Sequence, residues 1–284
     1  MTYSREQHAA IGGLVSEVKV IYTDVDGTLL GPGGCLFLSA KREFTLIPAQ
    51  TIVSVLKRGI DIVMVSGRNR EQLKEDARVL GFKNFISELG AEIVYDLGKR
   101  IVPNIVDFKV TQPTVFETIA KRGAPKALFE HYRGKLEYHT PWQTGRNYTH
   151  LLRGYVNVDE ADKFLATHGF ANLKLVDNGR ISTTSPTLKV REVHAYHLLP
   201  KSIDKASALR LDQKERKIKK DETIAIGDSW ADLPLASEVG VLFIVANGVR
   251  EDGTLARKIN EYDNIFVTRE EKGLGWAEAV NLVL

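Results

Sequence analysis

At 284 residues, 43% of them hydrophobic and 26% charged, the chain can build a sizeable core and has the balance of a globular protein, which excludes disordered and fibrous classes. Its 39 basic and 36 acidic residues leave a net charge of +3, too little to suggest a nucleic-acid partner. No apolar run approaches bilayer length, the N-terminal MTYSREQHAAIGGLVSE lacks an export signal, and the single Cys35 fits a reducing, cytoplasmic setting, so no membrane partner is expected.

A short helix packing on the core is expected before Val18, followed by a strand, VKVIYTDV, and a loop through GPGG. IPAQTIVSVLKRG places Ile52, Val53, Val55 and Leu56 on one helical face and stops at Gly59; IDIVMVSG is a β-branched strand. REQLKEDARVLG is an amphipathic helix with Leu73, Ala77 and Leu80 inward, and NFISELGAEIVY returns to strand character. From about Ile93 to Lys189 the pattern loosens into strand-like KLEYHT, YTHLLRGY and ISTTSP, with a helix around VDEADKFLATHG. The alternation then resumes with SIDKASALRLDQK as helix, ETIAIGDS as strand, WADLPLASEVG as helix, VLFIVAN as strand and GWAEAVNLVL as helix. KERKIKKDE reads as a solvated helix end and loop.

This alternation predicts an α/β fold: a doubly wound parallel sheet formed by residues 1–90 and 191–284, with residues 91–190 inserted as an α+β module. In such sheets the crevice lies at the carboxyl ends of the strands. Asp24 and Asp26, then Ser66, Gly67 and Arg68, then Asp228 and Asp232 stand at such ends. Each has an ordinary reading as a turn or cap, Ser66 as N-cap of the next helix included, but their convergence points to a site. Several aspartates together would repel one another without a cation, which implies Mg²⁺, a metal that keeps few protein ligands and suits a phosphate-bearing substrate. Carboxylates also serve as nucleophile and as acid/base, roles Asp24 and Asp26 can divide. Gly27 would let the backbone turn toward a phosphate, the hydroxyls of Thr28 and Ser66 would hold its oxygens, and Lys205 is the candidate for neutralising its charge.

The order TDVDGTLL, VSGR, SIDKASAL, GDSWADLPL resembles the haloacid dehalogenase superfamily of phosphohydrolases. The resemblance implies Asp24 as nucleophile and Asp26 as general acid/base and metal ligand through its backbone carbonyl. It further implies Ser66, Gly67 and Lys205 on phosphate, and Asp228 with Asp232 at the Mg²⁺ site. Lys201 competes for the lysine role, but the SIDKASAL context favours Lys205. An insertion between the serine and lysine motifs is similar to the cap of the sugar-phosphatase-like (Cof-type, subclass IIB) branch. Leu89 and Ala231 depart from that pattern where asparagine is common, and Ala206 where glycine is.

The implied activity is Mg²⁺-dependent hydrolysis of a small phosphomonoester through an aspartyl-phosphate, on hexose phosphates or phosphorylated sugar derivatives such as a glycosyl-phosphoglycerate. A phosphomutase of the same superfamily and a non-catalytic sugar-phosphate sensor are the alternatives. Specificity is expected in the cap, with Arg68, Arg146, Tyr148 and Arg153 as candidate contacts and Trp142 beside them, while His139 and His150 are read as structural.

Overall fold

The computed structural model describes residues 5–183 and 185–284. The chain runs through α1 (Arg5–Leu14), β1 (Val20–Thr23), α2 (Ile47–Lys57), β2 (Asp61–Val65), α3 (Arg70–Leu80), β3 (Phe85–Ser87), β4 (Glu92–Tyr95) and β5 (Arg100–Pro103). Then come α4 (Val115–Arg122), α5 (Ala124–His131), β6 (Leu136–Tyr138), β7 (His150–Gly154), α6 (Val158–Thr167), β8 (Leu173–Arg180) and β9 (His194–Pro200). The last third carries α7 (Lys205–Arg216), β10 (Thr223–Gly227), β11 (Val241–Ile244), α8 (Ala246–Glu251), α9 (Gly253–Lys258), β12 (Ile265–Val267) and α10 (Lys272–Asn281).

An eight-stranded sheet of order β12-β11-β10-β1-β2-β3-β4-β5 forms the core. Its strands pair in parallel from β12 to β3, and β4 and β5 add on antiparallel. Alternation within the strands splits the apolar residues between the two faces. Ile21, Ile62, Met64, Ile224 and Phe243 pack with Leu73 of α3 and Trp276 of α10. On the other face Tyr22, Val63, Val65, Ala225 and Leu242 pack with Leu209 of α7 and Leu255 of α9. Each fully buried Val, Leu or Ile contributes about 1.5–3 kcal/mol, so this double-sided burial is what holds the crevice-forming loops in register.

The second sheet, β6-β7-β9-β8, is antiparallel and carries α4, α5 and α6 on one face around Ile119, Leu128, Leu165, Tyr196 and Leu198. This α+β unit lies in the chain between β5 and α7 and is called the cap below.

Local departures from the sequence reading have physical causes. NFISELGAEIVY is two strands, because Glu88, Leu89 and Gly90 take left-handed φ values of 48°, 59° and 99° and reverse the chain. Next to the edges expected at 90 and 191, β4 and β5 pair within the core sheet, and β9 pairs within the second sheet. In α2 the buried residues are Pro48, Thr51, Ile52 and Val55, and Val53 and Leu56 face solvent. WADLPLASEVG forms only a short 3-10 turn, Leu233–Ser237, since Pro234 removes a donor and Asp232 folds its side chain back onto the preceding backbone. Of ISTTSP, the flanking residues 181–183 and 185–186 are irregular, Thr184 lies outside the described residues, and the strand forms earlier as β8. Among the described residues no helix is long and apolar enough to cross a membrane.

Candidate active site

Asp24, Ser66 and Asp228 follow the adjacent strands β1, β2 and β10 at the centre of the core sheet, so three loops meet at one place. The Asp24 N–H extends the ladder by donating to the Ile226 carbonyl at 2.9 Å, and the Ser66 N–H does so to Ile86 at 3.1 Å. Asp24 and Ser66 are thus fixed by the sheet at the points where their loops leave it.

Lys205, in the first turn of α7, ties two of these loops together. Its Nζ lies 2.6 Å from Asp24 Oδ1 and 2.7 Å from Asp232 Oδ1, and the lysine is 3% exposed. The other oxygen of Asp232 accepts from the Asp228 N–H, the Ser229 N–H and the Ser229 hydroxyl. Through these four bonds Asp232 links Lys205 to the Asp228 loop, with one lone pair of Oδ1 left over.

Burial, then the Asp232 and Asp26 charges, push the Asp24 carboxyl up to about 7 against the opposing pull of Lys205. Asp228 is driven well above the carboxylate range by burial and by the charges of Asp24 and Asp232. One ammonium does not compensate this crowd of acids, and the donor set of hard oxygens fits a divalent cation such as Mg²⁺. Among the described residues no three His, Cys, Asp or Glu side chains stand gathered as a ready-made metal cluster. Mg²⁺ fits this because it completes its octahedron with water and substrate oxygens. Gly27, at φ 87°, packs so close to Asp228 that a Cβ would collide with its Oδ2. Asn247 donates to the Gly27 carbonyl at 3.0 Å and lies 3.3 Å from Asp228 Oδ2, an amide contact that sequence reasoning missed.

Asp26 sits apart from this cluster, its side chain 55% exposed and held by Arg68 through two bonds of 2.8 Å and 2.6 Å. Arg68 also reaches Asp76 at 2.7 Å. It is a partner of the acid, not a free cap contact. The N-cap of α3 is Asn69, in a capping box with Gln72, and not Ser66. The Ser66 hydroxyl accepts from the Arg68 N–H at 3.2 Å, and Thr28 is fully buried.

The predicted cap contacts separate. Tyr148 is buried in the cap core, and Trp142 is exposed. Arg146 is buried and donates to the Gly67 carbonyl at 2.9 Å, which pins cap to core. Arg153 bonds Glu137 at 2.7 Å, and Thr187 donates to the same carboxylate. His150 is buried beside the Tyr138 hydroxyl and the Phe116 carbonyl.

Such a crevice, with an aspartate beside a lysine at the end of a central parallel strand, is that of a phosphoryl-transfer enzyme of the haloacid dehalogenase type. A family model described as haloacid dehalogenase-like hydrolase matches residues 21–265. The chain belongs to the haloacid dehalogenase-like hydrolases and is a phosphatase of that family. It is 23% identical over 248 residues to a phosphoglycolate phosphatase of Methanopyrus kandleri, covering 87% of this chain and 92% of the relative. A phosphoglycolate phosphatase of Sulfolobus acidocaldarius is 24% identical, with 94% of this chain and 97% of the relative covered. The sucrose-phosphatase of Synechocystis, solved with sucrose and phosphate, shares the fold at a TM-score of 0.63 and 14% identity, over 94% of this chain and 98% of that one.

Proposed function

We propose that the chain is a Mg²⁺-dependent phosphomonoester hydrolase that works through an aspartyl-phosphate on Asp24 and acts on a small sugar or polyol phosphate. The observation that carries this reading is the buried Asp24 carboxylate, 2.6 Å from Lys205 at the mouth of the crevice. Asp24 attacks phosphorus in line with the departing ester oxygen, and Asp26 protonates that oxygen before activating the water that hydrolyses the acyl phosphate. Asp26 must leave its pair with Arg68 to do so. Lys205, Ser66 and the Gly67 N–H hold the phosphoryl oxygens, and Thr28 supports the turn. Asp24, Asp228 and the Asp26 backbone carbonyl would hold the metal, whose chemistry is charge neutralisation at the phosphoryl group. The cap, residues 104–200 by sheet membership, covers the leaving group, and the single Cys35 suits a cytoplasmic enzyme.

Phosphate release is measured across sugar phosphates, phosphoglycolate and nucleotides, with and without Mg²⁺. Selective release that disappears with EDTA and in Asp24→Asn is expected. Undiminished turnover in that variant would remove Asp24 as nucleophile.

A further inference from the structure

The cap sheet turns its second face toward the core. On β9 the side chains of Tyr196 and Leu198 enter the cap core, so His197 between them points the opposite way. It stands over the phosphate loop: a Cβ placed on Gly67 would lie 2.8 Å from His197 Nε2 and 3.3 Å from the Asn178 side-chain nitrogen. His197 is 1% exposed.

Its tautomer follows from counting hydrogens. The N–H groups of Asn147, Tyr148 and Thr149 can only donate, and they donate to Glu88 at 2.9, 3.2 and 2.8 Å, so both oxygens of that buried carboxylate accept. The Thr149 hydroxyl spends its one hydrogen on Glu88 Oε2 at 2.9 Å. That hydroxyl accepts from Arg146 Nη1 at 3.1 Å, which leaves one lone pair for His197 Nδ1 at 3.2 Å. Nδ1 therefore carries the ring hydrogen. Burial, followed by the charges of Arg146, Lys205 and His139, drives the imidazole well below its ordinary pKa, so the ring is neutral and Nε2 is an acceptor. No described group donates to Nε2.

The cations near this face stay matched: Lys205 by Asp24 and Asp232, Arg146 by Glu88, Arg153 by Glu137, and Arg68 by Asp76 even when Asp26 turns to the leaving oxygen. A leaving group with its own carboxylate would meet the lone pair of Nε2 and find each of these cations taken.

We propose that His197 Nε2, with the Asn178 amide beside it, is the specificity determinant of the cap and accepts a hydrogen bond from a hydroxyl of an uncharged polyol or sugar leaving group. Glu88 and Thr149 are positioning residues that fix the ring through the relay. The inference rests on the phosphatase reading above and narrows it to neutral, hydroxyl-bearing leaving groups.

The test compares kcat/KM for sn-glycerol 3-phosphate, n-propyl phosphate and phosphoglycolate, with p-nitrophenyl phosphate as a check on hydrolysis itself. The wild type should favour glycerol 3-phosphate over its deoxy analogue by about tenfold or more. His197→Leu should bring that ratio to within about threefold of one, and His197→Gln, which keeps an acceptor, should restore part of it. The ratio is the readout because a general loss of activity leaves it at its wild-type value. Long-range ¹H–¹⁵N spectra of the wild-type protein should show the hydrogen on Nδ1 and a bare Nε2. A ratio unchanged in His197→Leu, a wild-type preference for phosphoglycolate, or a hydrogen on Nε2 would overturn the proposal while p-nitrophenyl phosphate is still hydrolysed. Failure to hydrolyse any of the four esters would instead sink the phosphatase reading and this inference with it.

Discussion

His150 makes the cap sensitive to acid. It lies wholly buried on β7, its Nε2 donates to the Phe116 carbonyl at 2.9 Å, and its Nδ1 is 3.2 Å from the Tyr138 hydroxyl. The ring stacks on Phe116 with centroids 3.8 Å apart. Burial holds its pKa down to about 4 from the ordinary 6.5, with the Phe116 carbonyl opposing and the Arg146 charge assisting. Because the folded pKa is depressed, the unfolded chain binds a proton first as pH falls. The neutral ring's contribution is whole above pH 6.5 and is lost as pH drops toward 4. At about 1.4 kcal/mol per pH unit, that interval corresponds to about 3.5 kcal/mol, of which about 2.5 kcal/mol is lost by pH 4.5. Urea unfolding at pH 7.5 and 4.5, followed through cap hydrogen exchange, is the assay for the wild type and His150→Gln. Groups common to both cancel in the difference, so the wild type should lose about 2.5 kcal/mol more than the variant between these two pH values. Equal losses in both proteins would refute the argument.

Gly27→Ala should leave the fold intact by circular dichroism yet lower kcat by at least about a hundredfold, because the new methyl displaces Asp228 and disfavours φ 87°. Wild-type kinetics in that variant would dissociate Asp228 from the reaction. Lys205→Met leaves Asp24 and Asp232 buried without their shared cation and should cost about 3–5 kcal/mol in urea unfolding as well as turnover. A variant as stable as the wild type would show that the lysine offsets no buried charge. Asp212 accepts from the hydroxyls of Tyr22 at 2.6 Å and Tyr95 at 2.7 Å inside the second apolar layer. Asp212→Ala strands both and should destabilise by about 2–4 kcal/mol, with Asp212→Asn, which keeps an acceptor, losing less; the same unfolding assay should separate them.

The eight-stranded core was readable because its signals are local. An apolar strand ending in Asp24-Val25-Asp26-Gly27 states both its burial and its exit in consecutive residues, and the same holds for Ser66-Gly67-Arg68 and for Gly227-Asp228. The cap was less legible, since its meaning depends on contacts between residues far apart in the chain. Glu88 looks in sequence like a turn residue of NFISELGAEIVY, and only its left-handed backbone aims its carboxylate at the N–H groups of Asn147, Tyr148 and Thr149, about sixty positions away. Likewise Arg68 reads as a free cation next to a phosphate motif, but the fold delivers Asp26 and Asp76 to either side of it. Asn247 lies nineteen positions after Asp228, in the first turn of α8, with no motif to mark it. His197 carried no sequence signal because alternation along HAYHLLP assigns it to a face without saying what that face covers. A crevice at the ends of parallel strands can therefore be found from sequence alone, whereas contacts made across two sheets emerge only when one is placed over the other and their hydrogens are counted.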